Sequence, residues 1–286
     1  MMRLMRPSVH SLFPIGENGG ITRDIYKASE DKFVRVEIQN SRCSNCDSVM
    51  IQHNCQICGS ERLIEKKCPN CGRPIENIHC SDCKTIGVQY STVTFPLKES
   101  FRRAFSTLQI KAKPPYKGVK YLMNPTKVPE ILEKGILRKE YDLSVYKDGT
   151  IRFDVTNAPL THFTPSQINT SISKLHKLGY THDKDGKPLV SEDQTLELFV
   201  QDVILPEESS TCLVNGTKYI DDLLQKLYKL EGEYFLSSKD DLIGQLIMGL
   251  APHTSVGIVG RIIGFTPSKV CLACLLYTSP SPRDRG

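Results

Sequence analysis

With 286 residues, 39% of them apolar and 24% charged, the chain has room for about two domains with cores of their own. No apolar run reaches the ~20 residues of a membrane helix, and "MMRLMRPSVHSLFPIG" lacks the apolar stretch of a signal peptide, so a helical membrane protein and a secreted one are both excluded and the expected compartment is the cytoplasm. The net charge of +5 is concentrated: Lys98–Lys120 holds seven Lys/Arg and one acid, Glu99, which suggests a local polyanion contact unless it is simply a solvated helix face.

"FVRVEIQ" (Phe33–Gln39) alternates as a strand does and leads into a dense cysteine block. Eight of the eleven cysteines fall there in order: Cys43, Cys46, Cys55, Cys58, Cys68, Cys71, Cys80 and Cys83. They form four CxxC pairs, and each of the last four lies 25 residues after its counterpart among the first four. A CxxC turn presents two thiolates to one ion, so four turns complete two tetrahedral sites, and two structural zinc ions are expected. Gly59 and Gly72 follow Cys58 and Cys71, where the turn favours positive φ. The block is poor in large apolar residues and depends on metal to fold. Two ligand partitions fit the spacing: sequential quartets (43/46/55/58 and 68/71/80/83) or cross-braced alternate turns. Neither leaves an open coordination position, so neither site is catalytic. His53 and His79 are bystanders within the block.

After the block, "PLKESFRRAFSTLQI" reads as a helix with Pro96 in its first turn and Phe101, Ala104, Phe105 and Leu108 on one face. Lys98, Arg102 and Arg103 project from another face, and the extended basic loop "KAKPPYKGVK" follows. A basic helix and loop beside zinc knuckles suit a phosphate backbone, without reading base sequence. "YDLSVYKDGTIRFDV" predicts a β-hairpin around Lys147-Asp148-Gly149. "THFTPSQINTSISKLHKLG" predicts one helix: Thr164 caps it, Gln167 closes a capping box, Ile168, Ile172, Leu175 and Leu178 form its stripe, and Gly179 ends it. "THDKDG" (Thr181–Gly186) reads as a turn, since the remaining calcium-loop ligands are missing. "TLELFVQDVIL" predicts a strand.

Two further helices are expected at Lys218–Leu230 and Asp240–Leu250, the second capped by Ser238. In the first, Ile220, Leu223, Leu224 and Leu227 pack on the core, and Asp221 and Asp222 sit at its start in favour of the macrodipole. "GLAPHTSVGIVGRIIGF" reads as a buried core element. No Walker loop, dinucleotide fingerprint, GxSxG or HExxH occurs. Residue chemistry alone therefore gives an α+β nucleic-acid-binding candidate with tandem four-cysteine zinc knuckles and no visible catalytic centre.

Four longer segments are more specific: "MRPSVHSLFPIGENGGITRDI", "LEKGILRKEYDLSVYKDGTIRFDVTNAPLTHFTP", "LGYTHDKDGKPLVSEDQ" and "DDLIGQLIMGLAPHTSVGIVGRIIGFT". Through them the chain closely resembles the large subunit of archaeal family D DNA polymerase, also called DNA polymerase II, from Met5 to about Thr266. The resemblance implies a replicative DNA-directed DNA polymerase with a catalytic core of double-psi β-barrels, of which this chain would carry an incomplete part. It implies catalytic Mg held by aspartates of an Asn-x-Asp-Gly-Asp motif that this sequence does not contain. It also implies three partners: primer-template DNA, a small subunit with 3′→5′ exonuclease activity, and a sliding clamp.

On that reading, residues 1–40 are a piece of the polymerase core, 41–90 the zinc module, 91–125 the basic helix and loop, and 126–273 the part leading into the catalytic barrel. Candidate DNA contacts are Arg23, Arg102, Arg103, Lys111, Lys113, Lys117 and Lys120, while His253 and Arg261 stand near the active site or serve in packing. "CLLYTSPSPRD" (Cys274–Asp284) resembles the translation of a transposase adapter used in DNA sequencing libraries, so 274–286 are expected to be non-native, and Met1 to be an internal methionine. The chain would then be a slice that does not polymerise alone. The rival is a free-standing zinc-ribbon adaptor that binds DNA or protein without chemistry.

Overall fold

The computed structural model describes residues 8–55, 57–250 and 257–274, which form two compact units. The first unit comprises residues 5–152 and 219–233; the second holds 153–218 and the chain from 234 onward. His253 and the tail from residue 275 lie outside the described residues.

In the first unit Asp24 caps a short helix, α1 (Ile25–Ala28), by accepting the Tyr26 N–H. The alternating segment forms β1 (Val34–Gln39), as its pattern predicts. The cysteine block contributes β2 (Ser41–Cys43) and β3 (Arg62–Ile64), and the chain returns as β4 (Tyr90–Phe95), antiparallel to β1 in the register Val34↔Phe95 to Gln39↔Tyr90. The whole cysteine block is thus an insertion between two paired strands. The basic helix follows as α2 (Leu97–Leu108), with Pro96 at its N-cap and Phe101, Ala104 and Leu108 buried. Phe101, Phe105 and Tyr116 meet edge to face with ring centroids 4.9–5.5 Å apart, which anchors the following loop on the helix.

Sequence reasoning left α3 (Leu132–Glu140) unassigned. This helix carries Arg138, whose guanidinium forks onto Glu130 at 2.6 and 2.7 Å, donates to the His10 carbonyl at 3.1 Å and lies over the Tyr219 ring. Glu130 also accepts the Leu12 N–H. One buried ion pair therefore ties together the N-terminal segment, the 130 loop, α3 and Tyr219. The predicted hairpin does not form. Its turn closes, with Tyr146 N–H on Thr150 and Gly149 at φ +85°, but the first arm donates through Val145 to Val9 and through Leu143 to Arg138. The competing partners leave that arm nothing to pair with in the second.

The second unit is built on a mixed five-stranded sheet. Its elements are β5 (Thr156–Pro159), β6 (His162–Phe163), α4 (Ile172–Leu178), β7 (Leu196–Glu197), β8 (Asp202–Pro206), α5 (Glu207–Asp222), β9 (Leu246–Leu250), β10 (Gly257–Thr266) and β11 (Val270–Ala273). The sheet order is β5-β11-β8-β10-β9, with β6 and β7 paired separately. Central β8 is buried at every position, as a strand covered on both faces must be. Ile204 and Ile263 face one apolar cluster; Val203, Leu205, Ile262 and Phe265 face the other. The register shift between Ile262 and Gly264 is what brings Ile262 and Phe265 to the same face, which strict alternation forbids.

Four expectations are corrected here. The helix from Thr164 keeps its capping box and its Gly179 stop but breaks at Asn169 (φ +52°) into a 3-10 turn, Pro165–Ile168, and α4. Thr170 between them donates to the Ile263 carbonyl at 2.9 Å, and this bond to the sheet replaces helical continuity. The predicted strand over 195–205 is split by a turn at Phe199, which accepts the Asp202 N–H. Helix 218–230 starts eleven residues earlier, at Glu207, because Ser209, Ser210 and Thr217 turn their hydroxyls back onto helix carbonyls and so are tolerated. Asp221 and Asp222 consequently end α5; they accept from Glu233 N–H and from Tyr141 and Lys226, and Val214 and Tyr219 are buried in place of Ile220 and the leucines of the π-helical turn Leu223–Tyr228. Finally, Ser238 caps only a 3-10 turn, Lys239–Leu242; Gly244 at φ +97° then redirects the chain into β9, a strand where a helix was predicted.

Two predictions test these packings. A Cβ at Gly264 would sit 2.7–2.8 Å from Thr170 Oγ1, Ile168 Cβ and the Ile168 carbonyl, so Gly264→Ala should cost about 1–3 kcal/mol in urea unfolding. Buried His10 accepts the Lys117 N–H at Nδ1 (3.0 Å), and burial first, then Lys139 and Lys117, push its pKa down to about 4 while Asp142 opposes them. Because the folded value lies below the unfolded one, this contribution is complete above about pH 6.5 and lost as pH falls towards 4. Replacing His10 by Asn should remove about 2–3 kcal/mol of the acid sensitivity between pH 7 and pH 4.5, read as the difference between the two proteins' unfolding free energies.

Candidate metal centres and nucleic-acid interface

The cysteine block repeats one small structure four times. The N–H of the first cysteine in each CxxC donates to the carbonyl five residues on: Cys43 to Ser48, Cys55 to Ser60, Cys68 to Arg73, Cys80 to Thr85. A bridge closes each knuckle outside this bond, Arg42↔Val49, Asn54↔Glu61, Lys67↔Pro74 and His79↔Ile86. The residue after each second cysteine has positive φ: Asp47, Gly59, Gly72 and Lys84, so the requirement read at the two glycines holds at all four turns. The segment before the first knuckle of each half pairs with the segment after the second, Arg42 with Leu63 and Lys67 with Val88. Those pairs are themselves 25 residues apart, which gives the sequence repeat its structural meaning.

Two clusters result, Cys43/Cys46/Cys55/Cys58 and Cys68/Cys71/Cys80/Cys83, each with all four sulfurs within 4.8 Å of one another. The quartets are sequential, and the cross-braced partition does not occur. Sulfur separations are 3.3 Å for Cys43–Cys58, 3.6 Å for Cys46–Cys55, 3.8 Å for Cys46–Cys58 and 3.7 Å for Cys71–Cys80. A tetrahedron with metal–sulfur bonds of about 2.3 Å has edges of about 3.8 Å, whereas a disulfide needs about 2.05 Å. Both quartets therefore fit a tetrahedral thiophilic cation such as zinc. Donors already face the sulfurs. Cys58 N–H, the Ser48 hydroxyl and Ile57 N–H bring Cys55 down to about 6, and the Thr85 hydroxyl and Cys71 N–H do the same for Cys68. Against the Cys46 and Asn45 N–H groups, burial and the Cys58 thiol push Cys43 up to about 11, and Cys71 and Cys68 push Cys83 up to about 12. His53 and His79 belong to neither cluster.

The candidate DNA contacts divide into groups. Arg102 and Arg103 both bind Glu99, at 2.8 and 3.1 Å along the exposed side of α2, and hold its carboxyl below the ordinary range. The i,i+3 and i,i+4 spacing made that pairing legible in the sequence. Lys113 pairs with Glu140 and Lys120 with Glu17, partners too distant in sequence to be foreseen. Arg23, Lys111 and Lys117 have no ion pair among the described residues. Arg23, Lys117 and Lys120 are brought together: Gly118 N–H donates to the Arg23 carbonyl, Asp24 bridges to Lys117, and Gly16 N–H donates to the Lys120 carbonyl.

Arg261 has a different environment. It sits opposite Asp202 in the parallel β8–β10 register and forks onto it, Nε to Oδ1 at 2.9 Å and Nη2 to Oδ2 at 2.8 Å. Buried Asp202 also accepts the Tyr180 hydroxyl at 2.6 Å, and Tyr180 in turn accepts the Phe199 N–H. Burial and this carboxylate raise the Tyr180 pKa far above the usual phenol value. The pair locks the start of β8 to the middle of β10, a packing role for Arg261 of the kind read as its alternative.

Paired four-cysteine clusters inserted ahead of a basic helix and loop, followed by an α/β sheet unit, define a class of proteins with two preformed sites for a thiophilic metal. Comparison with known proteins makes this specific. The family described as DNA polymerase II large subunit DP2, catalytic domain, matches residues 109–285, and the DP2 central domain matches residues 1–77. The chain belongs to the DNA polymerase II large subunit family. It is 44% identical to the DNA polymerase II large subunit of Thermococcus kodakarensis over 99% of its own length, 45% identical to that of Pyrococcus abyssi over 94%, and 42% identical to that of Cenarchaeum symbiosum over 99%. It spans 16%, 19% and 25% of those relatives, respectively. The catalytic-domain match also runs through most of the 274–286 tail.

The shared knuckle geometry yields its own test. No atom lies within 4 Å of a Cβ built on Gly59 or Gly72, so Gly72→Ala meets only the backbone cost of the left-handed region, about 1–2 kcal/mol in thermal unfolding. Lys84→Gly at the equivalent turn should shift stability in the opposite direction.

Proposed function

We propose that this chain is the part of a DNA polymerase large subunit in which two structural zinc ions and a basic region hold primer-template DNA for template-directed nucleotidyl transfer. The observation that carries the reading is the match over both the cysteine block and the α/β unit, with eight thiolates in two closed quartets. Closed S4 sites give zinc a folding role and no Lewis-acid role. Catalytic Mg belongs to the Asn-x-Asp-Gly-Asp motif of the family, which this sequence does not include. The sheet unit represents the approach to a double-psi barrel. The working enzyme adds a small 3′→5′ exonuclease subunit, with a sliding clamp as a further partner, in the cytoplasm. The adaptor reading gives way because the similarity extends well beyond the cysteines.

Within this chain Arg102 and Arg103 exchange Glu99 for DNA phosphate, since exposed ion pairs of this kind are worth no more than about 1 kcal/mol. The affinity is accordingly salt-dependent and indifferent to sequence.

Elemental analysis should find two zinc ions per chain, and the Cys43→Ser/Cys58→Ser double variant should retain one; loss of both would mean that ligands are shared across the quartets. The 286-residue chain should bind primer-template DNA with an affinity that Arg102→Glu/Arg103→Glu lowers along with the salt slope, yet extend no primer. Primer extension by the chain alone with Mg and deoxynucleotides would overturn the assignment of catalysis to the missing motif.

A further inference from the structure

We infer that Tyr121 is a base-stacking platform for single-stranded nucleic acid, set in place by Glu17 with Lys120 held on the same carboxylate. This deepens the DNA-binding reading above and rests on it. Glu17 accepts the Tyr121 hydroxyl at 2.6 Å through Oε1 and the Lys120 ammonium at 2.7 Å through Oε2, so one carboxylate orients an aromatic ring and a cation side by side. Both bonds lower the Glu17 pKa, that to Lys120 more than that to Tyr121. Tyr121 is nevertheless 56% exposed, and it takes part in none of the aromatic pairs among the described residues.

The loop that carries Glu17 is built rather than slack. Its flanks, Ile15 and Ile25, are buried, and Gly19 sits at φ +82°, where a Cβ would come within 2.7 Å of the Asp24 carbonyl and of Ile15 Cδ1. Lys120 shares the Glu17 carboxylate with the ring, which raises its pKa, while Arg23 lies close enough to Lys120 to oppose its charge; backbone pairing brings the Arg23–Asp24 turn against Lys117 and Gly118. A cation paired at the surface beside an exposed aromatic, with Arg23 near it, suits an anion that also offers a flat apolar face. A nucleotide supplies both. An unpaired base exposes its π-face, whereas bases within a duplex are already stacked, so the partner is a single strand.

The test uses the full chain loaded with zinc and a short single-stranded DNA carrying 2-aminopurine. Binding should quench the 2-aminopurine; Tyr121→Ala should weaken binding about tenfold with the salt slope unchanged. Tyr121→Phe, which keeps the ring but loses the Glu17 tether, should retain the quench with weaker binding. Arg23→Ala/Lys117→Ala should make the slope shallower by about 1.4. The chain has no tryptophan, so Tyr121→Trp supplies a single reporter whose emission should change on adding unlabelled strand even if the alanine variant folds poorly. If the cation pair alters binding while Tyr121→Ala binds as tightly as the parent and the Trp reporter is silent, the stacking role is overturned and the DNA-binding reading survives. If the parent chain binds no single strand, the stacking role falls; if it also binds no primer-template, both fall.

Discussion

The structure depends first on holding eight sulfurs in two groups at contacts as short as 3.3 Å. As thiolates these groups repel one another, and as thiols they offer only weak hydrogen bonds. A divalent cation reverses the balance, because it converts mutual repulsion into four metal–sulfur bonds per site. The block has little else to hold it. Ile57, Leu63, Ile64, Ile78 and Ile86 are all exposed, and its buried apolar cluster consists of Cys43, Met50 and Cys55. What burial supplies elsewhere in the chain must come here from ligation.

That constraint reaches beyond the block because of where it is inserted. β1 and β4 pair from end to end, so residues 40–89 form a loop that must close for Gln39 to meet Tyr90. Closing a disordered loop of that length carries an entropy cost that grows with the logarithm of its length. Two quartets closed by metal would divide it into short turns and make the return of the chain nearly predetermined. β4 runs directly into α2, so the order of the cysteine block also sets where the basic helix begins. The cysteine quartets and the basic helix are thus linked by chain connectivity.

Legibility in the sequence followed how local the determining interaction was. The knuckles could be read because ligand spacing, a glycine after the second cysteine and the 25-residue repeat all lie within a few residues of the chemistry. α2 could be read from its apolar stripe. The hairpin at Lys147-Asp148-Gly149 failed because Val9, more than a hundred residues away, takes the Val145 N–H. The break at Asn169 has a similar cause, a hydroxyl bond from Thr170 to a carbonyl on β10. β9 was mistaken for a helix because Ser238 and Asp241 do form a capping box, but one that closes a single 3-10 turn before Gly244 diverts the chain. Cap signals report where a turn starts; they carry no information about how far it continues.

For the cations, burial of the partner acid matters more than its distance along the sequence. Glu99, Glu17 and Glu140 lie at the surface, where exchanging one anion for another changes the free energy little. Arg261 is held by an aspartate whose side chain is 3% exposed and which also accepts the Tyr180 hydroxyl. Withdrawing the arginine would leave that carboxylate buried with a single neutral donor, a loss of several kcal/mol in comparable pairs. On the proposed reading, a phosphate would compete for the α2 arginines and for Lys120, but would meet Arg261 only through the part of the guanidinium that Asp202 leaves uncovered. Burial of the acid, more than exposure of the base, separates a ready DNA contact from a structural one.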